Sequence, residues 1–157
     1  MSSSRPAALK TAVLGVGNPL HSDDGAGPRL TDLLSCEKES GISAFNCGTA
    51  PENFTGVIRK LHPDLLIIAD ASLMNESPGA LRRIPPEKIT DAAVGTHMLP
   101  LSHLFSYLQD CADTIMVIGI QPASLEDGDE LSPEVEDAVR RLKELILSGK
   151  TESIPVF

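Results

Sequence analysis

The chain is poor in positive charge. Its 157 residues carry 13 Lys and Arg against 22 Asp and Glu, a formal net charge of −9. Nucleic acids and anionic membranes select basic patches, so this balance argues against both as partners. An acidic chain is compatible with cation binding, although a solvated acidic surface gives the same count. Cysteine is scarce: Cys36, Cys47 and Cys111, an odd number with no C-x-x-C spacing. That pattern argues against a disulfide framework or a zinc knuckle, and the three read as core thiols of a reducing cytosol. No apolar run is long enough to cross a bilayer, and Met1–Ala8 lacks the apolar core of a signal peptide, so Ser2–Arg5 is expected to fray. H-E-x-x-H is absent, which removes a zincin mechanism. G-x-S-x-G is absent too, so Ser-His-Asp chemistry has no local support.

Hydrophobic residues make up 41% of the chain, enough for a real core in one domain. Thr11–Val16, Leu65–Ala69 and Thr114–Ile120 are unbroken apolar or β-branched runs bounded by Gly, Asp or Pro, as expected of strands covered on both faces. Gly41–Cys47 reads as a further strand and Ala80–Ile84 as a short edge strand before Pro85-Pro86. Between them lie helical stripes: Ala26, Leu30, Leu33 and Leu34; Phe54, Val57, Ile58 and Leu61, ended by Pro63; and Leu99, Leu101, Leu104, Phe105 and Leu108, starting after Thr96-His97. Lys88–Val94 is weak helix or loop. The last helix begins at Ser132 with Pro133 in its first position, runs along Val135, Ala138, Val139, Leu142, Leu145 and Ile146, and stops at Gly149. Alternating strands and helices imply an α/β fold: a single doubly wound domain over residues 1–157, with a mostly parallel twisted sheet of about five strands and helices on both faces. Residues 1–8 and 151–157 are expected to be peripheral.

The chain is organised around Gly15–Pro28, where a strand, a Gly/Asn/Pro loop and a helix start enclose Asp23 and Asp24. Ligands of open α/β sheets bind at the carboxyl ends of the strands, so the acidic pair is a site candidate, with an N-cap of the helix as the plain alternative. A dinucleotide fingerprint is incomplete, because Leu20 stands where the third glycine belongs and Pro19 removes an amide N–H. Gly15 then reads as a tight strand exit, and Gly17 and Asn18 as a site wall. Asp70 closes the most apolar strand and opens onto the same crevice if that strand neighbours the first; its plain alternative is satisfying loop amides. Among the histidines, His62 reads as a surface or capping residue. His97 and His103 are about 240° apart around a helix and cannot share a face; His97 lies at the helix start, and His103 reads as half-buried structure. His21, in the site loop, competes with His97. Two carboxylates and an imidazole make a plausible shell for a divalent transition metal.

These residues, in this order, resemble the nickel–iron hydrogenase maturation endopeptidases. The matching pieces are Gly15-Val16-Gly17-Asn18, Asp23-Asp24-Gly25, Gly48-Thr49-Ala50, Ile67-Ile68-Ala69-Asp70-Ala71, Pro78-Gly79, Thr96-His97 and Gly119-Ile120-Gln121-Pro122. They span roughly residues 11–148. Ala50-Pro51-Glu52-Asn53, His97-Met98-Leu99-Pro100-Leu101 and Gly119-Ile120-Gln121-Pro122 look most like the branch that processes the formate-hydrogenlyase-type hydrogenase.

The resemblance implies a cytoplasmic, monomeric peptidase that removes a C-terminal extension from the hydrogenase large-subunit precursor once nickel is in place. It carries metal contact and catalysis onto Asp24, Asp70 and His97, and no role onto His21. Nickel would be supplied by or shared with the precursor, whose cysteines complete the shell; zinc or cadmium could occupy the same site. The mechanism is left open between a carboxylate base, as in aspartyl proteases, and a metal-dependent attack. Two other classes remain. A receiver-like phosphoacceptor domain also carries acids after its first and third strands, but Gln121 stands where its lysine belongs. A non-catalytic nickel chaperone would bind metal and leave the precursor uncut.

Overall fold

The computed structural model describes residues 9–89 and 101–157. Strands β1 (Thr11–Val16), β2 (Ile42–Gly48), β3 (Leu65–Ala71), β4 (Leu81–Ile84) and β5 (Thr114–Ile120) form one sheet in the order β2-β1-β3-β5-β4. The first four neighbours in that order pair in parallel, and β4 pairs antiparallel with β5. The three apolar runs are therefore the three central strands, as their composition requires. Side chains alternate between faces along each strand. Ala12, Leu14 and Val16 enter one core layer, and Val13 enters the other.

Helices α1 (Ala26–Ser35) and α4 (Pro133–Leu147) cover the face that holds Val13, Ile67 and Ile118. Helices α2 (Thr55–Leu61) and α3 (Leu101–Leu108) cover the opposite face, through Ile58, Leu104 and Leu108. Each such buried aliphatic side chain contributes about 1.5–3 kcal/mol relative to exposure. α4 starts after Ser132, as expected. Its end is a Schellman turn: Gly149 has φ 69°, and the Lys150 N–H donates to the Leu145 carbonyl at 2.8 Å.

Expectations change for Val57, His103 and Cys36. Val57 and His103 face solvent rather than the core; Leu104 and Leu108 set the phase of α3, which turns position 103 outward. Cys36, at the C-terminal end of α1, is exposed, while Cys47 and Cys111 are buried. β4 runs antiparallel because the chain reverses at Gly79, whose N–H donates to Gln121 O (2.9 Å) while Gln121 N donates back to Ala80 O (2.9 Å). Residues 151–157 turn along the outer edge of β4: Arg83 N donates to Pro155 O and Phe157 N to Arg83 O, both at 2.8 Å, and Ile154 is buried. The N-terminal end 2–5, most of Lys88–Val94, Leu99, and the helix start at Thr96-His97 lie outside the described residues.

Candidate active site

Strand order reverses at β1, with β2 on one side and β3 on the other, which makes the carboxyl end of the β1–β3 seam the switch point where such sheets hold ligands. Asp24 and Asp70 both reach this end. Asp70 lies on β3 in register with Val16 on β1 and Gly119 on β5, and it is fully buried. Asp24 arrives from the other direction. After Val16 the chain leaves the sheet through Gly17, and Asn18 Oδ1 accepts the Leu20 N–H at 2.9 Å, an Asx turn. A single 3-10 turn, Ser22–Gly25, then carries Asp24 back, also fully buried.

The glycines make this return possible. Gly17 has φ 142°, and a Cβ there would lie 1.8 Å from the Asp24 carbonyl oxygen. The Asn18 N–H donates to Asp24 Oδ2 at 2.9 Å. Asp24 thus sits on the Gly17–Asn18 backbone, one residue beyond Val16, and Val16 is the residue beside Asp70. Gly17 and Asn18 form the backbone against which Asp24 lies. Gly15 does something other than make a tight exit. A Cβ there would meet the Gly27 carbonyl oxygen at 2.2 Å, so it admits the start of α1 onto the sheet.

The N-cap alternative fails for both acids: the N-cap of α1 is Gly25, with no side-chain capping bond. Asp23 turns away from α1 and accepts four hydrogen bonds from Ala123, Ser124 and Ser132, a role no local pattern signals because its partners lie about 100 residues along the chain. The loop after β3 is anchored by Gln121, whose Oε1 accepts from Met74 N at 2.8 Å and Glu76 N at 3.3 Å. Gln121 thus has a structural task in the position where a receiver domain needs its lysine.

His21 is half-exposed and its Nδ1 lies 3.8 Å from Asp127 Oδ1, in the loop before α4. His62 is a surface residue in the left-handed conformation at the end of α2, with Nε2 3.2 Å from Asp113 Oδ1. His97 lies outside the described residues, and among the described residues no three His, Cys, Asp or Glu side chains are grouped to hold a metal. The thiols offer no alternative chemistry at the seam. Burial, reinforced by the charge of Glu52, pushes the Cys47 thiol up to about 12, so it stays protonated and unreactive. Cys111 is fully buried in the same core layer as Cys47, and Cys36 lies a helix length of about 15 Å from the start of α1. Among the described residues, the seam presents two buried carboxylates on a doubly wound scaffold.

Known proteins share both the scaffold and its sequence. The family described as HycI, hydrogenase maturation protease, matches over residues 31–149. The Hydrogenase 3 maturation protease of Escherichia coli strain K12 is 34% identical over 132 residues, which cover 83% of this chain and 85% of that one. The solution structure of the endopeptidase HycI from Escherichia coli superposes with a TM-score of 0.85 at 29% identity, covering 94% of this chain and 96% of that chain. The crystal structure of a [NiFe] hydrogenase maturation protease HycI from Thermococcus kodakarensis gives 0.79 at 31% identity, covering 92% and 94%. The molecule is therefore a peptidase of the α/β class with its candidate site at a sheet switch point. It belongs to the hydrogenase maturation protease family, an endopeptidase that processes a hydrogenase precursor, and this replaces the receiver-like and chaperone alternatives. The family match begins after Asp24 and contains Asp70 and His97.

Proposed function

We propose that this protein removes the C-terminal extension of a nickel-loaded large-subunit precursor of a nickel–iron hydrogenase of the formate-hydrogenlyase type, and that Asp24, Asp70 and His97 are the residues that meet the metal. It acts as a cytoplasmic monomer. The observation that carries the reading is the convergence of two fully buried carboxylates, from separate segments, on the carboxyl end of the β1–β3 seam. Two carboxylate oxygens and an imidazole nitrogen suit a divalent transition metal and leave coordination positions open. Nickel belongs to the precursor in this reading, and the precursor's own cysteines fill those positions. Zinc or cadmium suits the same donors.

Asp24, Asp70 and His97 would hold the cation, which would supply Lewis-acid chemistry when bound; in this reading its role is to bridge the two proteins. The chain's own contribution is positional and basic. Asn18 N–H fixes one oxygen of Asp24, and a carboxylate so held serves as the general base that takes a proton from the attacking water. The water oxygen then bonds to the scissile carbonyl carbon, and the peptide nitrogen leaves with a proton. The cleaving step is of this aspartic type, with the metal acting in recognition of the loaded precursor.

The test is incubation with nickel-loaded precursor, nickel-free precursor and an unrelated unfolded peptide, with products read by mass. A shortened product is expected from the loaded precursor alone. Equal cutting of the nickel-free precursor or rapid cutting of the unrelated peptide overturns the reading.

A further inference from the structure

Asp23 is a fully buried carboxylate that the cleavage chemistry does not use. Its Oδ1 accepts the Ser132 N–H at 2.7 Å, and its Oδ2 accepts Ala123 N at 2.8 Å, Ser124 N at 3.0 Å and Ser132 Oγ at 2.8 Å. All four donors belong to one segment, 123–132, between the exit of β5 and the start of α4. Backbone bonds stitch the same segment to the site loop: Ser22 N to Gly128 O at 2.8 Å, Gly128 N to Leu20 O at 2.9 Å and Asp23 N to Ser124 O at 3.1 Å. The Ser22 hydroxyl adds a bond to Glu126 O at 2.8 Å. Asp24, the next residue, bonds in another direction, to Asn18 N. Successive residues of a 3-10 turn point about 120° apart, so fixing the direction of Asp23 fixes that of Asp24.

We propose that Asp23 and Ser132 are positioning residues for the reaction: segment 123–132 is a strap that sets where the Asp24 carboxylate stands. This rests on the reading of Asp24 given above. Bonds to a charged acceptor are short and directional, and they hold the turn at a point with no covalent constraint of its own. Asp23→Asn puts an NH2 donor in place of one acceptor oxygen, so at least one of the part-buried donors loses its bond, and the turn relaxes. A displacement of about 1 Å at a reacting group lowers rates by about 100-fold.

The test compares Asp23→Asn, Ser132→Ala and Ser132→Thr with Leu142→Ala, a core variant remote from the strap, and with Asp24→Asn, all assayed well below their melting temperatures on nickel-loaded precursor. A strap predicts that Asp23→Asn lowers kcat by about 10- to 100-fold with KM unchanged. Ser132→Ala, which keeps the backbone bond and loses the hydroxyl, should fall by a smaller factor, and Ser132→Thr should restore it. Leu142→Ala should melt earlier with kcat intact. Calorimetric cadmium affinity should drop in Asp23→Asn and be kept in Leu142→Ala. Wild-type kcat in folded Asp23→Asn, with only an earlier melt, overturns the proposal; so does wild-type kcat in Ser132→Ala if Asp23→Asn does not fold. Wild-type kcat in Asp24→Asn removes instead the reading of Asp24 on which the strap depends.

Discussion

Helices α1 and α4 cover the same face of the sheet, α1 by close backbone approach at its start and then through Leu30 and Leu34, α4 through aliphatic side chains along its length. At the start of α1, a Cβ on Gly27 would lie 2.5 Å from the Val16 carbonyl oxygen and 2.6 Å from that of Ala69, and the missing side chain of Gly15 clears the Gly27 carbonyl from below. Backbone meets backbone across β1 and β3. α4 stands off on Val135, Ala138, Val139, Leu142 and Ile146, all buried. The difference separates two tasks. The aliphatic seam of α4 supplies burial, which tolerates small shifts. The glycine seam at the start of α1 buries Ala26, Gly27 and Pro28 in close contact and fixes the 3-10 turn just before it, which carries Asp24.

Three substitutions sharpen or break that contrast. The largest effect on stability is expected from Leu142→Ala, a cavity in the α4 seam worth about 2–5 kcal/mol. Denaturant unfolding should show the loss, and the folded fraction should cleave precursor at the wild-type rate. Gly27→Ala should cost less, about 1–3 kcal/mol, because the helix can lift off the sheet. Its cleavage rate should fall further than that stability loss accounts for. Equal rates in the two variants would erase the distinction between the helices.

The smallest effect concerns the ion pair that ties the two helices together, Arg29 Nε to Glu136 Oε1 at 3.1 Å. The hydrogen bond from Arg29, then its charge and that of Arg140, hold the Glu136 carboxyl below its ordinary range against the opposing effect of burial. A lowered carboxyl stabilises the fold fully above about pH 4.5 and loses that contribution as the pH falls through its lowered value. The pair is partly exposed, so screening holds it to at most about 1 kcal/mol. Glu136→Gln should therefore reduce stability slightly at pH 7 and converge with the wild type in acid. A constant difference at all pH values would show that the charge is not involved.

The sheet was legible because strands buried on both faces leave continuous apolar runs, and β1, β3 and β5 are such runs. Asp70 was legible for the same reason, as a carboxylate within the most apolar strand. Asp24 could be placed from the loop around it, since Gly17, Asn18 and Pro19 must turn the chain there. The work of Asp23 left no local trace, because its donors are brought to it by the exit of β5 and the start of α4, about 100 residues along the chain. Gly15 looked like a turn residue until Gly27 appeared beneath it in space; a close approach involves two segments, and one stretch of sequence shows only half of it. His103 was misplaced because a leucine-rich segment suggests burial all round, whereas Leu104 and Leu108 alone set which side of the helix faces the core. The antiparallel course of β4 depends on backbone bonds between Gly79, Ala80 and Gln121, which side-chain patterning does not encode.

The central claim is that the carboxylates at the β1–β3 seam, with His97, perform the reaction. Its most direct test is cleavage of nickel-loaded precursor by purified Asp24→Asn, Asp70→Asn and His97→Ala, each confirmed as folded by circular dichroism, with product read by mass. Loss of a positioned base lowers rates by about 10²–10⁴-fold, so the account predicts no shortened product from any of the three on the wild-type time scale. Wild-type cleavage by a folded Asp70→Asn protein would contradict it outright, and the same result for His97→Ala alone would turn attention to His21.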